Sequence, residues 1–213
     1  IETGLDKAYI TQWSYGIGET FTFLIPDFKG GASSAIGQAY PNALKKTNPD
    51  YKEAVANSNA YFGDQPFTSG PVYIGAILIF LCFLGMLIVK NSIKWPLFFA
   101  TILTIALGWG SNFMGLTNFF MDFVPGYNKF RAVSMILIVA ELTLPLLAIL
   151  TINELIKFKS LDELVELRLL KKSFKIKTLL FVSLVVIGGF CAIGYIAPTV
   201  INSFSAQNEA EIM

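Results

Sequence analysis

The chain of 213 residues is 54% hydrophobic and 15% charged, and its formal net charge is +1. An average soluble domain carries roughly 25% charged residues, so this composition does not fit that class. Histidine is absent and there are only two cysteines, which excludes Ser-His-Asp and Cys-His catalysis and most zinc sites. We therefore expect no metal and no cofactor.

Residues 1–70 are predicted to form an irregular exported segment, because glycine and serine follow one another closely over residues 29–34. Asn48 as N-cap and Pro49 at the first helical position predict one short helix that runs to about Tyr61. The first part of the segment is rich in aromatic residues: Tyr9, Trp13, Tyr15, Phe21 and Phe23. These rings are either anchors at a membrane interface or a stacking platform for a sugar or a lipid headgroup.

Four apolar stretches beyond this segment each suggest a membrane span: 71–89, 95–109, 133–152 and 178–197. Together they contain a single charged residue, Glu141. Only a membrane environment explains why such runs recur four times in a chain of this size. The predicted fold is all-α: a polytopic integral membrane protein with four transmembrane helices, the first two of which form a hairpin over residues 71–109.

Residues 110–132 are predicted to be an exported loop between the second and third spans. Lys129 and Arg131 lie at its end, at the level of the lipid headgroups. The planar guanidinium of Arg131 suits a phosphate group, so both cations are candidates for binding a lipid phosphate. The alternative is plain anchoring, in which Arg131 extends to the phosphates of the bulk membrane.

Glu141 lies in the middle of the third span, four residues before Pro145. A carboxyl group at this depth is costly and is expected to face protein or a water-filled cavity. Glu141 could serve a proton-coupled transporter, or it could make a hydrogen bond between helices.

Apolar residues recur at three- and four-residue spacing through residues 153–177, and Lys171, Lys172, Lys175 and Lys177 lie near the end. This pattern predicts an amphipathic helix along the cytoplasmic interface, with its basic end on anionic lipid. Nucleic-acid binding is the other use of a basic run, and we reject it for a short helix tethered to a membrane. Residues 198–213 are predicted to be an exported tail.

The basic residues are concentrated on alternate connections. The two connections on one side hold nine of the sixteen: Lys90, Lys94, Lys157, Lys159, Arg168, Lys171, Lys172, Lys175 and Lys177. Cytoplasmic loops carry such an excess, so both ends of the chain are predicted to face outward. The chain begins at Ile1, and nothing visible before residue 71 would start export. We therefore expect further spans upstream, in a longer protein.

Four stretches, taken in order, resemble a known family. They are YITQWSYGIGET at 9–20, LIPDFKGG at 24–31, DQPFTSGPVY at 64–73 and PGYNKFR at 125–131. Together they resemble the bacterial YfhO-like membrane protein family, in the version found in Bacteroidetes-type bacteria, over residues 4–198. Members of that family are considerably longer polytopic proteins, so the resemblance implies that this chain is an internal segment of one.

The resemblance implies a likeness to glycosyltransferases of the GT-C type. These enzymes lie in the cytoplasmic membrane and transfer a sugar from a polyprenyl-phosphate carrier on its outer face. By this likeness Lys129 and Arg131 would bind the carrier phosphate, while Glu19, Asp64 and Gln65 would contact the sugar or the acceptor. The catalytic carboxylate is expected outside this segment. The implied partners are membrane lipids, the polyprenyl-phosphate-linked sugar and other membrane proteins.

Two other functions stay open at this point. The chain could be a non-catalytic membrane subunit or scaffold of a larger complex, because similar scaffolds can lose their chemistry and persist as assembly components. It could also be a proton-coupled transporter that uses Glu141.

Overall fold

The computed structural model describes residues 5–129, 131–167 and 171–201. Most of the predicted tail therefore lies outside the described residues, as does Arg168 of the predicted basic connection. The described chain is mainly helical, with one two-stranded sheet.

The segment before residue 71 folds into short helical turns rather than long elements. Its α-helices are α1 (Lys7–Ile10), α2 (Ile36–Ala39) and α3 (Lys52–Asn57). Its 3₁₀ helices cover Thr11–Trp13, Gly18–Phe23, Ala43–Lys45 and Pro49–Tyr51. The frequent glycine, proline and serine residues of this segment keep each turn short.

The helix predicted to start at Asn48 is present but shorter than expected. The Asn48 side chain accepts a hydrogen bond of 3.2 Å from the backbone amide of Asp50, as an N-cap does. The first turn is 3₁₀, and α3 then ends at Asn57 rather than near Tyr61. The chain leaves the helix at Ser58, whose backbone is extended and whose hydroxyl donates to the carbonyl of Ala54.

Four apolar helices form the bundle that follows. They are α4 (Ala76–Ile88), α5 (Lys94–Gly108), α7 (Ile138–Leu155) and α8 (Ile176–Ile196); a 3₁₀ turn over Val133–Leu137 precedes α7, and a last short helix, α9, covers Pro198–Ile201. By length and composition, Val133–Leu155 and Ile176–Ile196 are each sufficient to cross a membrane. Two of the four predicted spans are thus supported.

The other two predicted spans differ from simple crossing helices. Helix α4 has only 13 residues. The chain enters it through an extended stretch, in which the amides of Ile74 and Gly75 both donate to the carbonyl of Phe23, at 3.3 and 2.9 Å. Helix α5 is long enough to cross a membrane only together with the helix that follows it, and the two are bent by 111° at the break between them.

Helix α7 is the centre of the bundle, because α4 and α5 both pack along it. The Cys82 thiol donates to the carbonyl of Leu144 at 3.1 Å, and the hydroxyls of Thr101 and Thr143 are 2.6 Å apart. Such bonds between helices satisfy polar groups that have no water to bind in an apolar environment. Helix α8 packs mainly on α4.

The prediction of a loop over residues 110–132 is wrong. A 3₁₀ turn over Gly110–Phe113 leads into α6 (Met114–Phe123), and a further 3₁₀ turn covers Tyr127–Lys129. Gly110 has a φ of +48°, a left-handed conformation that glycine adopts without the steric cost of a side chain, and it turns the chain out of α5. One side of helix α6 is buried against Ile10 of α1, Leu107 of α5 and Val133 before α7, and this burial stabilises the helix.

The prediction of an amphipathic helix over residues 153–177 is also wrong. Helix α7 ends at Leu155, and the connection forms an antiparallel hairpin of β1 (Leu164–Leu167) and β2 (Lys172–Lys175), in which Val165 lies opposite Phe174. Inward and outward residues alternate along β1 with the period of a strand, and Val165 is buried against α4 and α8. This contact with distant helices decides the conformation.

The two ends of the bundle are built from different parts of the chain. At one end, which we call the hairpin end, Val165 packs with Ile88 and Val89 beside the short connection between α4 and α5. At the opposite end, the N-terminal segment meets the end of α5, where the Tyr15 amide donates to the carbonyl of Gly108 at 2.8 Å. The two connections with the most basic residues therefore lie at the same end.

Candidate acidic site at one end of the bundle

Glu19 is a buried carboxylate with donors from two separate parts of the chain. It lies in the 3₁₀ helix Gly18–Phe23 and is only 2% exposed. The Tyr61 hydroxyl donates to Oε1 at 2.5 Å, and the Gly16 amide donates to Oε2 at 2.6 Å. The Tyr15 hydroxyl also donates to the backbone carbonyl of Glu19 at 2.9 Å. These bonds hold the carboxylate in one orientation.

A second carboxylate, Asp64, lies next to Glu19. The Asn112 side-chain amide donates to Asp64 Oδ2 at 3.2 Å and to the Tyr15 carbonyl at 3.2 Å. Asn112 thereby ties the turn after α5 to both halves of the N-terminal segment. We use the name acidic site for Glu19 and Asp64 with their donors Gly16, Tyr61 and Asn112.

Two glycines allow the carboxylates to come this close. A Cβ atom on Gly16 would be 2.7 Å from Asp64 Oδ2 and 3.0 Å from Glu19 Oε2, so the two carboxylates would have to shift. A Cβ atom on Gly63 would collide with the Glu19 carboxylate and the Tyr61 hydroxyl. A larger residue at either position would push the acidic site apart.

Burial raises the pKa of Glu19, and the nearby negative charge of Asp64 raises it further. The hydrogen bonds from Tyr61 and Gly16 favour the charged form and oppose this shift, but burial dominates. Burial likewise raises the pKa of Tyr61, as does its hydrogen bond to Glu19, so the phenol stays protonated and remains a donor. A carboxyl group with a raised pKa is a stronger base than an ordinary carboxylate and so accepts a proton more readily.

A small cavity of mixed lining opens on Glu19, and we call it the polar cavity because Glu19, Gln65, Thr68 and Ser134 contribute polar groups to it. Its volume is about 140 Å³, and its lining consists of Tyr15, Glu19, Gln65, Thr68, Gly70, Pro71, Val72, Ser134, Met135 and Leu137. Gln65 is fixed by its backbone amide, which donates to the Tyr61 hydroxyl at 3.0 Å. The structure therefore brings together Glu19, Asp64 and Gln65, three residues that the sequence analysis named as separate candidates.

An apolar groove of about 340 Å³ lies on the other side of the same 3₁₀ helix. Residues of the turn at 20–24 form one wall, and side chains of α4, α5 and α7, together with Ile187 of α8, form the rest. The turn that carries Glu19 thus separates a polar cavity from a groove that runs between apolar helices.

The two predicted phosphate-binding cations lie elsewhere. Lys129 and Arg131 are both exposed, and Arg131 Nε donates to the Tyr9 hydroxyl at 2.9 Å. In the ranges that the structure describes, neither cation lines the polar cavity. Their predicted role in binding a lipid phosphate stays a prediction.

Three residues near the acidic site escaped the sequence analysis. Tyr61 donates to Glu19, which is 42 residues away in the chain, and Asn112 donates to Asp64, which is 48 residues away. No local sequence pattern predicts such contacts. Lys29 lies with its ammonium group 5.5 Å from the ring centre of Phe62, and its Cε would be 3.3 Å from a Cβ atom on Gly18. It places a positive charge beside the turn of Glu19.

Glu141 does not face the interior of the bundle, so that expectation is wrong for the described chain. Its side chain is exposed in the first turn of α7, whereas its neighbours Ala140 and Leu144 are buried. The buried side of α7 is the side that contacts α4 and α5, and Glu141 lies away from it.

Comparison of the chain with known protein families, with curated proteins and with solved structures finds no match. The likeness to the YfhO-like family therefore stays a prediction from the sequence. Among the described residues, no group of three or more His, Cys, Asp or Glu side chains is placed to hold a metal ion. The function of the chain is therefore inferred from the geometry of the acidic site.

Proposed function

We propose that this chain is part of a membrane glycosyltransferase that moves a sugar from a polyprenyl-phosphate carrier to a hydroxyl group of an envelope acceptor. The observation that supports this proposal is the position of Glu19. It is a buried carboxyl group with a raised pKa, on a turn that lines a polar cavity on one side and an apolar groove on the other. A lipid-linked sugar needs both environments within reach of one catalytic group.

The proposed chemistry follows from these environments. The groove holds the hydrocarbon chain of the carrier, and the cavity holds the sugar and the acceptor beside Gln65 and Thr68. In this proposal Glu19 itself, rather than a carboxylate outside this segment, is the general base. Its carboxylate accepts the proton of the acceptor hydroxyl while the hydroxyl oxygen forms a bond to the anomeric carbon. The bond from that carbon to the phosphate breaks, and the polyprenyl phosphate leaves as an anion. Lys129 and Arg131 do not line the cavity in which this bond breaks, so their binding of the carrier phosphate stays a prediction from the sequence.

The proposed location is the bacterial cytoplasmic membrane, with the acidic site on the outer face. The distribution of basic residues supports this orientation, because the hairpin end carries most of them. Asp64 and Asn112 act as positioning residues in this proposal. The Asn112 amide binds both the Asp64 carboxylate and the Tyr15 carbonyl, and it thereby fixes the turn after α5 against Tyr15.

The test is a transfer assay with Glu19→Gln. Membranes that contain the full protein are incubated with a radiolabelled polyprenyl-phosphate-linked hexose and an envelope fraction as acceptor. General acid–base catalysis contributes on the order of 10²–10⁴ in rate, so Glu19→Gln is expected to lose at least about 100-fold in kcat. Asp50→Asn is the matched control, because Asp50 is an exposed carboxylate of the same segment, outside the acidic site. A Glu19→Gln enzyme that transfers sugar as fast as the wild type would overturn the assignment.

A second candidate is a non-catalytic membrane scaffold. It is supported by the fact that both carboxylate oxygens of Glu19 already have donors within the chain, so that the residue joins the turn at 16–19 to the turn at 61–65. In this case the wild type transfers no hexose, while Glu19→Gln still lowers the thermal stability of the protein. A transporter that uses Glu141 is not proposed, because the exposed position of Glu141 gives it no path through the described bundle.

A further inference from the structure

Helix α6 has an orientation that a connecting loop would not have. It follows α5 after the Gly110–Phe113 turn, and the two helices are bent by 111° relative to each other. If α5 runs along the membrane normal, α6 lies close to the membrane plane with its C-terminal end tilted back toward the bilayer. The ten residues of α6 give it a length of about 15 Å.

The two sides of α6 differ sharply. On the inner side, Thr117 and Met121 are buried, and Met121 packs with Ile10, Leu107 and Val133. On the outer side, Phe119 is 54% exposed and Phe123 is 72% exposed, with ring centres 5.1 Å apart. We call these two residues the phenyl stripe. In the described part of the chain, no other helix covers them.

Polar and charged groups lie beside the phenyl stripe. The Lys7 ammonium group donates to the Asn118 side chain at 3.2 Å and lies 3.5 Å from the Asp122 carboxylate. Arg131, a short distance along the chain, is exposed as well. Exposed aromatic rings beside a band of charged groups are typical of a helix that lies in a membrane interface.

We propose that α6 is a re-entrant interfacial helix whose phenyl stripe inserts among the acyl chains of the leaflet nearest the N-terminal segment. The occupant of the exposed side is lipid, because the stripe continues directly from an apolar helix of the bundle and is tilted toward the same bilayer. Asn112 lies in the turn that starts α6 and binds both Asp64 and the Tyr15 carbonyl. Insertion of α6 therefore holds the acidic site at the membrane surface, whatever reaction that site performs.

The experiment measures how deeply residues of α6 lie in the bilayer and does not measure activity. Its outcome is therefore separate from that of the proposed function. The full protein with Cys82→Ala and Cys191→Ala is given a single cysteine at Phe113→Cys, Phe119→Cys or Phe123→Cys and labelled with a nitroxide. It is then reconstituted in vesicles of equal parts phosphatidylcholine and phosphatidylglycerol. Val124→Cys, one residue beyond α6 and 37% exposed, is a second site should one of the phenylalanine variants fold poorly. Asp50→Cys is the control for water exposure.

The accessibility of each label to dissolved oxygen and to a water-soluble nickel complex gives its depth. Labels at 119 and 123 are expected to be reached by oxygen and shielded from nickel, while the label at 50 shows the reverse. The tilt further places the label at 123 about 5 Å deeper than the label at 113. Labels at 119 and 123 that nickel reaches freely would overturn the proposal. Labels that neither reagent reaches would overturn it too, because protein rather than lipid would then cover the stripe.

Discussion

At Glu19, the burial that raises the pKa makes the stability of the protein depend on pH. The folded protein holds this proton more tightly than the unfolded chain does, so protonation favours folding. The contribution is fully present below the ordinary pKa of about 4.5 and is lost as the pH rises through the raised value. The neutral carboxylic acid also keeps an acceptor oxygen for Tyr61, so protonation does not abolish the contact.

We expect the unfolding temperature of the detergent-solubilised protein to fall as the pH rises from about 4.5 toward neutrality, because Glu19 must then be buried as an anion. Glu19→Gln should flatten this part of the profile. Thermal unfolding monitored by circular dichroism over this pH range measures both. Glu53→Gln, which changes an exposed carboxylate of α3, should keep the wild-type profile. A Glu19→Gln profile as steep as that of the wild type would contradict the explanation.

The residues of the acidic site were only partly predictable from the sequence. Glu19, Asp64 and Gln65 could be named because polar residues next to a membrane span are natural ligand contacts. Their common location could not be predicted, since it depends on Tyr61 and on Asn112, which is 97 residues from its partner Tyr15 in the chain. The sequence also placed Glu141 inside the bundle, because hydrophobicity locates a span but not the side of the helix that packs.

At the scale of elements, the contact between α4 and α7 depends on one small residue. A Cβ atom on Gly85 would collide with the hydroxyl of Thr151 and lie 3.6 Å from Leu147 Cδ1. The two helices can therefore come this close because Gly85 has no side chain. Small residues commonly allow such close approach between helices in a membrane.

Gly85→Val is expected to destabilise the protein by about 1–3 kcal/mol, because the added methyl groups force α4 away from α7. Gly188→Val in α8 is the matched control, since nothing lies within 4 Å of a Cβ atom built there. It should change the free energy of unfolding by less than about 0.5 kcal/mol. Denaturant titration in micelles measures the difference, and equal losses in the two variants would show that the contact contributes little.

The elements that the sequence predicted well are those that depend on hydrophobicity alone. Helix α5 starts at Lys94, one residue before its predicted start, and α8 starts at Ile176, two residues before its own predicted start. The hairpin was missed because a short apolar pattern suits either a helix or a strand, and burial of Val165 against α4 and α8 decides between them. Helix α6 was missed because its amphipathic pattern is hidden by phenylalanines on both sides.

For the whole molecule, the segregation of the two ends gives a direct test of orientation. The hairpin end holds the connection between α4 and α5 and the connection between α7 and α8 with its flanking residues. Of the nine basic residues counted there, all but Arg168 lie in the described part of the chain. The positive-inside rule predicts that this end is cytoplasmic and that the acidic site is outside.

In a background with Cys82→Ala and Cys191→Ala, Asn57→Cys is expected to react with a membrane-impermeant maleimide added to intact spheroplasts. Ser173→Cys in β2 should react only after the membrane is permeabilised. Both positions are exposed, so a difference in labelling reports their side of the membrane rather than their burial. Labelling of Ser173→Cys in intact spheroplasts would reverse the orientation and would place the acidic site in the cytoplasm.

If α4 crosses a membrane, as predicted, its short length makes the protein sensitive to bilayer thickness. Its 13 residues give about 20 Å of helix, whereas a typical hydrocarbon core is about 30 Å thick. The remainder is extended backbone, whose amides at Ile74 and Gly75 are satisfied by the carbonyl of Phe23. In a thin membrane α4 matches the lipid, while a thick one draws acyl chains over this extended stretch at a cost of a fraction of a kcal/mol per Å. The attachment of the N-terminal segment to the bundle thereby becomes a function of which membrane surrounds it.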